Sequence, residues 1–135
     1  EWYISLVNRK IYIRKVFERQ CEIALENYKR IFNAVGNKID IVMTTGADFG
    51  TQRGLIISKE LYNDLFKPFH TKPKRRIHDN TGWKTGIHSC GAIEPLIEDY
   101  IDAGFDILGE SRNPVLDFGH CDLFVFWDLL FGIST

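Results

Sequence analysis

The chain has 135 residues, 44% hydrophobic and 26% charged, the make-up of one globular unit able to bury a core. A formal charge of −1 removes any general case for a nucleic-acid partner, and the longest apolar cluster, Leu123 to Ile133, is interrupted by Asp128 and too short to span a bilayer, so no membrane is expected. Cys21, Cys90 and Cys121 lie far apart with no CxxC spacing, which suits a reducing compartment, with cytoplasm as the default, better than a disulfide framework.

The first predicted element is a helix over about 7–35, with Val16, Phe17, Ala24, Leu25, Tyr28, Ile31 and Phe32 at helical spacing and Gly36-Asn37 as its stop. The chain opens at Glu1 without an initiator Met or a signal-peptide pattern, and its start reads as helix interior, so we expect the natural N-terminus to lie upstream. Cys21 falls in the apolar stripe and reads as a structural thiol. Residues 39–43 form a β-rich run of strand length, followed by the polar, glycine-bearing loop Thr44 to Gly54. Ser58 then reads as the N-cap of a helix with Leu61, Leu65 and Phe69 on one face, which Pro68 and Pro73 should kink or break. The basic run Lys72 to Arg76 reads as solvated surface. A second strand is predicted over 83–88, a short helix over 92–103, a stop at Gly104 and a third strand over 105–108.

Strands alternating with helices predict an α/β fold with three parallel strands, adjacent in chain order and joined by right-handed crossovers. Loops after the C-terminal ends of parallel strands are where such folds place their chemistry. Asp48, Gln52 and Arg53 follow the first strand, and His88 and Cys90 the second. Side chains alternate along a strand, so His88 and Cys90 point the same way, and an imidazole nitrogen with a thiolate sulfur is a pair that Zn²⁺ favours. The alternative is a buried His and a small apolar Cys in a tight turn. Asp48 reads either as a turn-capping carboxylate or as part of the site, and Gln52 and Arg53 either as a solvated loop or as substrate contacts.

Four segments together carry a more specific signal: Thr45-Gly46-Ala47-Asp48-Phe49-Gly50-Thr51-Gln52-Arg53-Gly54; Ser58 to Tyr62 with Lys67-Pro68-Phe69; His88-Ser89-Cys90-Gly91; and Ala103-Gly104-Phe105-Asp106-Ile107-Leu108. In order and spacing the chain resembles the uroporphyrinogen decarboxylase superfamily over roughly residues 8 to 109, and most closely its cobalamin-dependent (corrinoid) methyltransferase branch. The resemblance implies a (β/α)8 TIM barrel, of which residues 1–135 would be an interior fragment of about three parallel βα units plus a preceding helix, with 109–135 a divergent tail.

It also implies a zinc-dependent methyl transfer from a methylcorrinoid, held by a separate corrinoid protein, to a small thiol acceptor. On this reading His88 and Cys90 are zinc ligands, Asp48 orients a ligand or the substrate, and Gln52 and Arg53 contact the acceptor or the corrinoid edge. The branch takes its third zinc ligand from a cysteine farther along than this chain runs, with His120 or Cys121 as substitutes, so weak zinc binding is expected from an incomplete ligand set. Two alternatives stand beside it. One is porphyrinogen decarboxylation in porphyrin (heme) biosynthesis, with Asp48 stabilising a cationic pyrrole; the other is a catalytically inactive barrel fragment. Bare sheet edges would in either case favour self-association.

Overall fold

The computed structural model describes residues 2–109, so His120, Cys121 and the tail after Gly109 lie outside the described residues. Helix α1 spans Trp2–Asn8 and α2 spans Lys10–Val35. One unbroken helix was expected here; instead Arg9 takes φ −129°, ψ 37°, between two segments that bury Leu6 and Ile13 in the same core. Neither Gly nor Pro marks this break, so no local propensity announces it. At its other end α2 stops at Gly36, whose φ of 53° suits a residue without Cβ and whose N–H donates back to the Phe32 carbonyl.

Three strands follow: β1 (Ile41–Gly46), β2 (Lys84–His88) and β3 (Ile107–Gly109). They form one parallel sheet in the order β1-β2-β3, the order expected from the alternation of elements. Among the described residues the fold is therefore a mixed α/β arrangement around a three-stranded parallel sheet. β1 runs three residues beyond its expected end, taking in Thr44, Thr45 and Gly46. Thr44 and Thr45 are buried, the Thr44 hydroxyl donates to the Gly86 carbonyl at 3.1 Å, and the Tyr28 hydroxyl donates to the Thr44 carbonyl at 3.2 Å. Polar character suggested a loop, but β-branched threonines suit a strand, and at Thr44 these partners satisfy both the hydroxyl and the carbonyl. The pairing register shifts between Met43 and Thr45, a bulge that keeps Gly46 opposite His88.

The chain between β1 and β2 returns through α3 (Lys59–Leu61), a π turn (Tyr62–Phe66) and α4 (Lys67–Asn80). Ser58 caps this segment as expected, its hydroxyl oxygen accepting the Leu61 N–H at 3.2 Å. The irregularity expected at Pro68 takes the form of a π turn that ends just before it, where the Lys67 N–H bonds the Tyr62 carbonyl five residues back; the break expected at Pro73 is corrected, since the helix continues through that buried proline. Pro68 is the second residue of α4, and its missing N–H interrupts the helical bonding that runs in from the π turn. The predicted 92–103 helix divides into a 3₁₀ turn, Glu94–Leu96, and α5, Ile97–Asp102, because Pro95 favours a helix start over a helix interior. Gly104 ends it at φ 92°.

In the basic run Lys72, Arg75 and Arg76 are exposed as expected, and the correction concerns Lys74 alone. Lys74 is only 2% exposed, with Nζ 3.8 Å from the centre of the Phe105 ring. It lies three residues before the buried Ile77, on the inward stripe of α4, so helix phase overrides its charge. The main core gathers Leu65, Ile87, Ile93 and Leu96 with the rings of Phe49, Tyr62, Tyr100 and Phe105, between the sheet and α4–α5. No helix among the described residues is long and apolar enough to cross a membrane.

Candidate metal centre

Two loops leave neighbouring strand ends side by side, and the backbone joins them. The Ala47 N–H donates to the His88 carbonyl at 3.1 Å, continuing the β1–β2 pairing past the strand end. Farther out, the Ala92 N–H donates to the Thr51 carbonyl at 2.8 Å. Between these bonds the loops touch through Gly50 and Gly91. A Cβ on Gly50 would lie 2.7 Å from the Ala92 nitrogen, and one on Gly91 would lie 2.4 Å from the Gly50 carbonyl carbon, so neither position has room for a side chain. Gly91 also holds φ at 88°, a conformation that L side chains resist.

This contact brings together three groups from the two loops. His88 Nε2 lies 3.2 Å from Cys90 Sγ, as expected for two side chains on one face of a strand end. Asp48 joins them, its Oδ1 accepting the Cys90 N–H at 3.0 Å. One ligand atom from each of Asp48, His88 and Cys90 lies within 4.8 Å of the other two. Asp48 is exposed and the other two are partly buried, so the trio faces outward from the sheet end.

The donors fit a divalent transition metal. Around tetrahedral Zn²⁺, bonds of about 2.0–2.3 Å put neighbouring ligands roughly 3.3–3.8 Å apart, a spacing these atoms reach with sub-ångström to one-ångström adjustments. Imidazole nitrogen and thiolate sulfur favour zinc over magnesium or calcium, and a thiolate with a carboxylate would offset the charge of a dication. The expected ligand pair thus has a third donor close by, from a residue first read as an orienting group. Its signal was present in the sequence, since Asp48 and the His-x-Cys pair follow adjacent parallel strands. The bond from the Cys90 N–H to Asp48 could not be read there.

Gln52 and Arg53 stand apart from this grouping. They occupy the exposed tip of a small hairpin in which Gly50 bridges Leu55, the Ile56 N–H donates to the Phe49 carbonyl at 2.8 Å, and the Thr51 N–H donates to the Gly54 carbonyl at 2.7 Å. The Thr51 hydroxyl oxygen accepts the Arg53 N–H at 3.2 Å, which shapes the turn through backbone and leaves the Arg53 side chain outward.

Beneath the loops lies a layer of rings and polar groups that sequence reasoning passed over. The Tyr62 hydroxyl pairs with His70 Nδ1 at 2.9 Å, and burial of the His70 ring, helped by nearby Lys74, pushes its pKa well below the usual histidine value. Burial pushes the Tyr100 hydroxyl up to about 12, with the Ser89 hydroxyl working in the opposite direction. Comparison with known proteins brings in no relative: no family model, curated protein or solved structure matches the chain.

Proposed function

We propose that the chain holds one Zn²⁺ through His88 Nε2, Cys90 Sγ and an Asp48 carboxylate oxygen, and that this centre belongs to a methyltransferase moving a methyl group from a methylcorrinoid to a thiol. The observation that carries the metal reading is the gathering of three chemically matched ligand atoms within 4.8 Å on two loops at the C-terminal ends of adjacent parallel strands. The methyl-transfer reading is finer and rests on the resemblance of residues 45–54, 88–91 and 103–108 to corrinoid methyltransferases of the uroporphyrinogen decarboxylase superfamily. That resemblance also makes the three-stranded sheet part of a (β/α)8 barrel.

When bound, Zn²⁺ supplies a Lewis acid that lowers the pKa of a coordinated thiol, and three protein ligands leave one position for it. The chain's own residues do the rest. Asp48 accepts the Cys90 N–H with one oxygen, so a single carboxylate ties the loops and would also complete the ligand set. The partial exposure of His88 and Cys90 leaves the outer side open to a small thiol and to a corrinoid carried by another protein. On this reading Arg53 and Gln52, exposed at the hairpin tip, contact that partner and not the metal.

The test is zinc stoichiometry on the purified chain, followed by incubation of the zinc-loaded chain with methylcobalamin and a small thiol. One zinc per chain, with zinc-dependent thioether formation, supports the full reading. Bound zinc without methyl transfer keeps the metal centre and favours an inactive barrel fragment. Absence of bound zinc refutes the centre and leaves porphyrinogen decarboxylation, which uses no metal, as the enzyme reading to try.

A further inference from the structure

Ser89 sits between the two residues assigned to the metal and faces the other way. It is 0% exposed, and its hydroxyl oxygen accepts the Phe49 N–H at 3.1 Å. Phe49 directly follows Asp48, and its own ring is buried in the core. The Ser89 N–H is committed elsewhere, donating to the Gly109 carbonyl at the end of β3 at 3.1 Å.

The two loops are therefore bridged in sequence: Ala47 to His88 by backbone, Phe49 to the Ser89 side chain, Asp48 to the Cys90 backbone, and Thr51 to Ala92 by backbone. In a regular ladder a carbonyl would receive the Phe49 N–H. Here a hydroxyl replaces it, and without that hydroxyl a buried donor next to Asp48 would have no acceptor. Such a donor moves toward water and takes the neighbouring residue with it.

We infer that Ser89 is the positioning residue of the metal centre: by holding the Phe49 N–H it fixes where the Asp48 carboxylate stands relative to His88 and Cys90, and so decides whether the site has three ligands or two. The inference rests on the metal reading proposed above. Ser89 acts through the backbone one residue from Asp48. Outer partners of metal ligands typically change affinity by about 10–100-fold when removed.

The experiment uses Co²⁺ as a spectroscopic stand-in for Zn²⁺, titrated into the wild type, Ser89→Ala, Asp48→Asn and the double variant. The wild type should show the sulfur-to-cobalt charge-transfer band with one-to-one stoichiometry. Ser89→Ala should keep the band, weaken affinity about 10–100-fold, and add little to Asp48→Asn, because both remove the same ligand. The pair Ser89→Thr and Ser89→Val, equal in bulk and different in the hydroxyl, repeats the comparison whether or not the alanine variant folds. Thr should bind at least tenfold more tightly than Val.

Equal affinities for the wild type and Ser89→Ala, or for Thr and Val, would overturn the inference while leaving the metal centre standing. Full additivity with Asp48→Asn would overturn it too, since Ser89 would then act on something other than Asp48. So would loss of fold in every variant lacking the hydroxyl. A wild type that binds no Co²⁺ refutes the metal centre and the inference together.

Discussion

Gly50 and Gly91 meet back to back, the Gly50 carbonyl carbon standing where a side chain on Gly91 would begin. Their contact joins the loop carrying Asp48 to the loop carrying His88 and Cys90. Gly91→Ala adds a left-handed strain of about 1–2 kcal/mol to an overpacking of about 1–3 kcal/mol. We expect a loss of roughly 2–5 kcal/mol in urea unfolding, together with loss of zinc at the site. A variant as stable as wild type would mean that the loops separate at no cost.

For the proposed zinc ligands, Cys90→Ala should abolish zinc binding, because it removes both a bond and the charge that offsets desolvation of the dication. His88→Ala should do nearly the same. Asp48→Asn should leave weak, rapidly exchanging zinc, since the amide keeps one acceptor for the Cys90 N–H and gives up the anionic ligand. Competition with a chromogenic chelator reads all three. Wild-type affinity in Asp48→Asn would return Asp48 to a purely orienting role.

Lys74 predicts how stability depends on pH. Burial lowers its pKa from 10.5 to about 7, so the unfolded chain binds more protons than the folded one between these values. Stability should therefore rise with pH from about 7, with a slope approaching one proton. The rise ends near pH 9 to 10, where Cys21 and Tyr28, both raised by burial, begin to ionise in the unfolded chain first and contribute the opposite sign. Lys74→Met, which keeps the chain length over Phe105 without the amine, should flatten the profile and be no less stable than wild type at pH 7. Guanidinium midpoints measured from pH 6.5 to 9 check it, and a wild-type profile that falls over this range would contradict it.

The first two helices expose Trp2, Tyr3, Ile4, Val7, Ile11 and Tyr12 within a short stretch. Solvent-facing apolar side chains in such number favour association of chains. Sedimentation should show mass rising with concentration, and Ile4→Glu with Ile11→Glu should shift the distribution toward monomer. A strictly monomeric chain at high concentration would rule this out.

Several of these features were legible in the sequence because a single local rule governs them. Strand alternation places His88 beside Cys90, Ser58 is a cap by side-chain chemistry, and Gly36 and Gly104 end helices because they tolerate positive φ. Other features depend on partners distant in the chain. Thr44 reads as loop until Tyr28 and Gly86 supply its bonds, and Lys74 reads as surface until Phe105 covers it. Asp48 was visible as a candidate, but the Cys90 N–H that orients it belongs to a different strand end, and the tight fit of Gly50 on Gly91 likewise has no signature in either loop alone.

The parallel pairing of β1 with β2 has a consequence for folding time. Asp48 and Cys90 are 42 residues apart in sequence, and parallel neighbours can meet only after the intervening helical crossover has packed. Local structure such as the α4 helix can form within microseconds, but the loop pair has no local route to its geometry. The site is thus assembled late, and a metal that binds only the assembled loops would slow unfolding without hastening folding. In a chevron plot, zinc should lower the unfolding limb and leave the folding limb in place.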